Sequence, residues 1–470
     1  PMYYGNKYYA YIIETFKDIR MVGAPPSSIG KFGSDTDNWV FPRHTGDFMM
    51  FRIYADKNNK PAEYSKDNIP YKPKHFLPVS IKDKKEGDFT FVFGFPGRTT
   101  EYLPSVAVEK IRSEIDPAMI DVRDVALKTL DEKMRTDQAT KIKYASKYAR
   151  VANYWKKWKG EVEGLTKSDA VGKKQRYEQT LIAKNPEVKT TLDEFNRLYT
   201  EQAPYALSRA YYSEVIRNAE TLSLANNFYN FANAAESGKM DAKTLENFKN
   251  RLKEIYKNYD PELDAKVTAK VLALYANRVQ PQFLPSGFEQ YKDVNRNLQT
   301  IEELSKNSVI TGRGTLNGAT TYSGIDKIFA DPNALVQNLK NDPLMKLFTS
   351  MRESYLAKTD GKYAEYQKQI DVLQKKYMAQ QMQTDKDRTF YPDANSTLRV
   401  TYGEVKGSNP KDALYYGYQT HLAGVMEKYV PGDYEFDVPK KLIDLYNRKD
   451  YAINKNSTVD VPVNSTATNP

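Results

Sequence analysis

From Glu101 to about residue 392 the apolar positions recur every three to four residues, the period of a helix packed on one side, for roughly 290 residues. Leu245, Phe248, Leu252, Ile255 and Tyr259 fall on one helical face, as do Tyr363, Tyr366, Ile370, Leu373 and Tyr377. Breaks at Asn185-Pro186, Asp260-Pro261, residues 281–287, Asp331-Pro332 and Asp342-Pro343 cut the region into separate helices. Several of these breaks put Asp or Asn before Pro, a helix-start signal. No repeat at the spacing of a helical solenoid is visible, so a compact helical domain is expected. Its aromatic stripes read as core.

The flanks follow a different rule. Phe89, Phe91, Phe93 and Phe95 alternate with smaller residues at the period of a strand, which ends in a Gly/Pro turn over residues 94–97. Residues 48–54 read as a short buried strand, and residues 8–16 as a strand or a short helix. After Thr389 strand and turn signals return, with residues 396–402 β-rich and residues 426–429 and 441–446 as short helical pieces. The fold class expected is therefore α+β. Residues 1–100 and 393–470 form a β-rich domain, interrupted by an all-α insertion over residues 101–392.

Chemistry concentrates in residues 31–54, KFGSDTDNWVFPRHTGDFMMFRIY. Asp35, Asp37, Asn38, Trp39, Arg43, His44 and Asp47 all precede the apolar run, in a stretch that Gly33, Pro42 and Gly46 mark as an ordered loop. A polar, aromatic-bearing loop feeding a strand is a common way to present site residues. Loop Asp and Asn equally serve as turn and cap residues, and a loop Trp often plugs a core edge. His44 and Asp47 stand three apart, but such a pair is no catalytic unit without a hydroxyl or thiol to activate. Residue chemistry alone leaves the two readings open.

The string TDNWVFPRHTGDFMMFR strongly resembles the signature of the bacterial dipeptidyl-peptidase 7 and 11 family. The likeness continues through residues 60–65 (KPAEYS), 93–103 (FGFPGRTTEYL), 152–156 (ANYWK) and 392–403 (PDANSTLRVTYG), in family order. The resemblance implies a chymotrypsin-like double β-barrel, incomplete in this chain, with a helical cap inserted between the triad aspartate and the nucleophile. It implies a serine dipeptidyl aminopeptidase, with Asp47 as the triad acid. Asn38 and Trp39 would grip the free amino terminus of the peptide, joined by Asn153 of the helical domain. It further implies export to the periplasm or cell surface, a homodimer, and no cofactor.

The family's nucleophile lies in a GNSGSP string after a VPVN-like segment. VPVN occurs at residues 461–464, but no GNSGS or GxSxG string occurs in the 470 residues, and the family's triad histidine would lie before Pro1. The chain is thus expected to be a fragment, inactive alone, in which His44 packs a loop rather than acting as the base. A non-catalytic peptide-binding or scaffolding protein of the same fold is the alternative.

Other classes find less support. The net charge is +10, but lysines alternate with acids along helices and no nucleic-acid-binding motif appears, so no nucleic-acid partner is expected. Three histidines without HExxH, and no cysteine, argue against a metal. The GRGTLNG run at residues 312–318 lacks the GK[ST] ending of a phosphate loop. No segment has the ~20 apolar residues of a membrane span.

Overall fold

The computed structural model describes residues 1–80 and 82–451, together with the backbone of 462–465. The chain divides into two units. One comprises Pro1–Met2, Lys7–Glu101 and Pro392–Pro470; the other comprises Tyr3–Asn6 and Tyr102–Tyr391.

The second unit is helical, and aspartates start many of its helices. Asp137, Asp241, Asp260, Asp293, Asp331 and Asp342 each accept a hydrogen bond from a first-turn N–H of the helix that follows. A side-chain carboxylate there satisfies donors that have no partner within the helix. At Asp260, Asp331 and Asp342 the next residue is the expected proline, which lacks the N–H that would otherwise go unpaired. At Asn185 the boundary differs. Asn185 accepts from Glu187 N–H, but Pro186 is the residue that precedes the helix Glu187–Asn218. Of the first predicted stripe, Leu252 and Tyr259 are buried and Leu245, Phe248 and Ile255 partly so. Of the second, Ile370 and Tyr377 are buried with Tyr366 and Leu373 against them. Aromatic stacking adds specificity to this core, with Tyr212 and Tyr355 parallel at 4.1 Å.

Two buried features of this unit bear on function. Arg123 and Glu214 form an ion pair at 2.7 Å, both almost fully buried. The guanidinium lies 4.7 Å from the Trp158 ring and donates to the Val151 carbonyl at 3.0 Å, on the helix Gln138–Lys167. The unit's two chain ends are also tied together. The Tyr102 hydroxyl donates to the Tyr391 carbonyl at 2.6 Å and accepts from Tyr391 N–H at 3.1 Å, while Gln374 donates to the Tyr102 carbonyl at 2.8 Å.

Asp116, beginning the helix Asp116–Met134, is 3% exposed. Burial, reinforced by the charge of Glu161 and opposed by Lys157, pushes its carboxyl up to about 7. An unfolded aspartate titrates near 3.9, so between about pH 4 and 7 the folded chain binds more protons, and stability falls as pH rises through that window. Asp116→Asn is therefore expected to stabilise the fold at about pH 8, by on the order of 4 kcal/mol at most and seen as a higher melting temperature, and to leave it nearly unchanged at about pH 4. Equal effects at both pH values in thermal denaturation would remove burial of the charge as the cause.

The first unit holds the strands. β1 (Ile19–Gly23) pairs antiparallel with β2 (Met50–Ala55), which pairs with β3 (Ile69–Pro70). β4 (Phe89–Gly94) pairs antiparallel with β5 (Arg399–Glu404), from Phe89 opposite Glu404 to Gly94 opposite Arg399. β6 (Ser408–Lys411) pairs with β7 (Leu414–Tyr416), and β8 (Gln419–His421) with β9 (Pro462–Ser465). These are one three-stranded and three two-stranded sheets, and no closed barrel forms among the described residues. The double barrel expected from resemblance is thus not seen here.

Two further expectations are corrected. Residues 8–16 form neither strand nor helix; the strand begins at Ile19 instead. The run at 48–54 is not buried, since Met50, Phe51 and Ile53 are all exposed. β4 and β5 likewise expose Phe89, Phe91, Phe93, Val400 and Tyr402. Aromatic alternation identifies a strand, but only a second layer of structure buries it. The short helix Lys440–Arg448 contains the piece expected at residues 441–446, and Leu422–Lys428 takes in residues 426–428 but stops before Tyr429. Of the VPVN segment, Val461 lies outside the described residues.

Candidate functional site

The loop of residues 31–47 is anchored at its start by Phe32, 1% exposed, which packs edge-on against Phe436 at 5.6 Å in a small core with Leu422, Val425 and Val438. Gly33 follows at φ 78, with the Asp37 side chain occupying the space a Cβ would need. Only glycine meets both demands. The backbone then turns tightly: Asp37 N–H donates to Gly33 O at 2.7 Å and Val40 N–H to Asp37 O at 3.2 Å.

Residues from far along the chain hold this turn on both sides. Gly33 N–H donates to the Glu435 carbonyl at 2.8 Å, and the Glu435 carboxylate accepts from Asp35 N–H at 2.9 Å and from the Thr36 hydroxyl at 2.5 Å. On the other side Lys428 donates to the buried Asp37 carboxylate at 2.8 Å and to the Pro42 carbonyl at 3.0 Å. The Thr420 hydroxyl donates to Arg43 O at 2.7 Å, and the Thr45 hydroxyl to Phe32 O at 2.8 Å. The Phe41–Pro42 peptide bond is cis.

Between these fixed flanks lie Asn38 and Trp39. Asn38 is half-buried. Trp39 has φ 62 and is 63% exposed. A left-handed backbone costs a non-glycine residue about 1–2 kcal/mol, so the surrounding bonds must hold the ring where it is. An exposed indole beside a carboxamide offers a ring face and a carbonyl acceptor to a cationic group.

His44 and Asp47 diverge in environment. His44 is 7% exposed, packed so closely on Gly424 that no side chain could replace that glycine's hydrogen unless the imidazole moved. Its Nδ1 has no hydrogen-bond partner among the described residues. Burial, with the nearby Lys428 ammonium as a lesser cause, lowers its pKa. Asp47 is 62% exposed, with a long ion pair to Arg43 at 3.9 Å. Its carboxylate is accessible to a further donor.

Asn153 belongs to the helical unit, half-buried on the helix Gln138–Lys167. Its helical turn is fixed from beneath by Arg123, through Val151 O and the rings of Tyr154 and Trp158. Asn38, Trp39 and Asp47 thus share one loop of the first unit. Sequence reasoning missed Lys428, Glu435, Gly424 and Arg123. A lysine and a glutamate in a segment rich in both carry no local signal, and their role depends on a fold that spans almost 400 positions.

Among the described residues no group of His, Cys, Asp or Glu could hold a metal ion, and no helix is long and apolar enough to cross a membrane.

Comparison with known proteins gives a consistent picture. The model of the peptidase S46 family matches residues 1–470. The Asp/Glu-specific dipeptidyl-peptidase of Flavobacterium psychrophilum is 48% identical over 95% of this chain and 62% of its own length. Dipeptidyl-peptidase 7 of Porphyromonas endodontalis is 38% identical over 96% of this chain and 54% of its own. The crystal structure of Porphyromonas endodontalis DPP11 with the dipeptide Arg-Glu superposes with a TM-score of 0.82 at 30% identity, covering 100% of this chain and 67% of that one. The chain therefore spans less than two thirds of the length of the curated relatives named here.

Proposed function

Since the chain belongs to the peptidase S46 family, we propose that it forms the substrate-end recognition part of a serine-type dipeptidyl aminopeptidase, which releases dipeptides from the free N-terminus of peptides. The observation that carries this reading is the exposed Trp39 beside Asn38, held in a left-handed turn by bonds on both flanks. An exopeptidase must measure two residues from a charged amine, and a ring face with amide acceptors does so chemically. Asn153 is assigned to the same task from the helical cap, and Asp47 to orienting the histidine base. The 470 residues contain no GNSGS string, so the polypeptide alone is expected to be inactive.

Two relatives at 48% identity carry the name Asp/Glu-specific dipeptidyl-peptidase, which supports an acidic residue before the cut. Export to the periplasm or cell surface and a homodimer, which the resemblance implies, belong to the same proposal.

The test is a matched pair of dipeptidyl substrates given to the full-length protein, one with a free amine and one acetylated. Acetylation is expected to slow cleavage about 100-fold or more, because hydrogen bonds to a charged group contribute about 1.5–3 kcal/mol each. Equal cleavage of both would exclude an aminopeptidase of this kind.

A further inference from the structure

We infer that Lys428 and Glu435 are positioning residues for substrate binding: they clamp the two flanks of the Asn38-Trp39 turn and so fix where the substrate amine is held. The inference rests on the amine-anchor reading above. Neither side chain need touch the substrate. Glu435 fastens residues 33–36 through its own carbonyl and both carboxylate oxygens. Lys428 fastens Asp37 and Pro42, which bracket the anchors on either side. Both come from the segment that follows β8, which closes against the loop through the Phe32–Phe436 contact.

The geometry makes the clamp necessary rather than incidental. Trp39 sits in a backbone conformation that a free chain leaves readily. Asp37 is 5% exposed, and Lys428 is the cation that pairs with it, so the ammonium both neutralises a buried charge and draws the Pro42 carbonyl towards the same point. A turn tied at one flank only could rotate its ring away; tied at both, it presents the indole in one place. Positioning of this kind acts on binding of the amine, because remote disorder in a binding loop lowers the fraction of competent protein.

The experiment uses the full-length protein and steady-state kinetics on free and acetylated dipeptidyl substrates. Glu435→Gln and Lys428→Met are each expected to raise KM for the free substrate about tenfold, with kcat changed less than about threefold. The preference for free over acetylated substrate should shrink by the same factor. Lys428→Arg, which can still donate to both acceptors, should recover most of the loss. Because Lys428→Met strands a buried carboxylate, the double variant Lys428→Met/Asp37→Asn separates folding from positioning. Its melting temperature should return towards wild type while KM stays high. Recovery of KM in that double variant would overturn the inference, reducing the pair to a stability element. An unchanged KM in Lys428→Met, while Trp39→Ala still raises it, overturns the clamp alone. An unchanged KM in both overturns the amine-anchor reading and the clamp with it.

Discussion

Asp47→Asn in the full-length enzyme is expected to lower kcat roughly 10⁴-fold while leaving the melting temperature unchanged. The two halves of this expectation have separate causes. In the mechanism proposed, the carboxylate accepts from one nitrogen of the base histidine and holds the tautomer that takes the serine proton; an amide favours the other tautomer. Stability is indifferent because the ion pair Asp47 makes among the described residues is the long one to Arg43, between side chains 62% and 35% exposed. Exposed pairs of that kind contribute about 0–1 kcal/mol. A variant that turns over dipeptidyl substrate at near the wild-type rate would remove Asp47 from the triad. A variant that unfolds would show the residue to be structural, contrary to its exposure.

The second large effect belongs to the residues proposed as amine anchors. Replacing Asn38 or Asn153 by Ala should lower kcat/KM by about 10- to 100-fold each, the loss of one hydrogen bond to a charged group. Trp39 calls for a more discriminating choice. Trp39→Ala removes the ring but leaves a Cβ in the left-handed region. Trp39→Gly removes the ring and the backbone cost together. Trp39→Gly is therefore expected to fold at least as stably as wild type and yet to bind substrate poorly. Good binding by Trp39→Gly, measured as KM on a free dipeptidyl substrate, would assign the anchor to the turn's backbone and not to the indole.

How far the sequence carried this reading depended on the range of the interactions. The start of the helix Pro261–Arg278 was legible because Asp260 and Pro261 act within their own turn. β4 was legible because Phe89, Phe91 and Phe93 alternate. Its exposure was not, since burial is decided by whatever packs over a strand, and periodicity is silent about that. Residues 8–16 have the aromatic and β-branched content of a strand but take no partner in the described sheets. Crowding in one short string drew notice to residues 31–47, but only the resemblance to the family signature set Asn38, Trp39 and Asp47 apart from Asp35, Asp37, Arg43 and His44 beside them. Lys428 and Glu435 escaped because nothing local separates them from their many solvated counterparts.

The knot of bonds between Tyr102 and Tyr391 has a consequence for how the chain assembles itself. β4 and β5 are partners in a ladder, yet a whole helical unit is threaded between them. Closing roughly 290 residues of disordered chain would cost about 5 kcal/mol of entropy. Once the helical unit has folded, Tyr102 and Tyr391 lie side by side, and the ladder is separated from that junction only by residues 95–101 and 392–398. Glu101 N–H and the Thr99 hydroxyl then meet the Asp393 carboxylate at 2.8 and 2.6 Å, the first stitches beyond the junction. A pairing remote along the chain becomes, in kinetic terms, a hairpin. During synthesis the helical unit can fold on the ribosome while the loop of residues 31–47 still waits for Lys428 and Glu435 to emerge, so that loop is fastened only after the helical unit has been made.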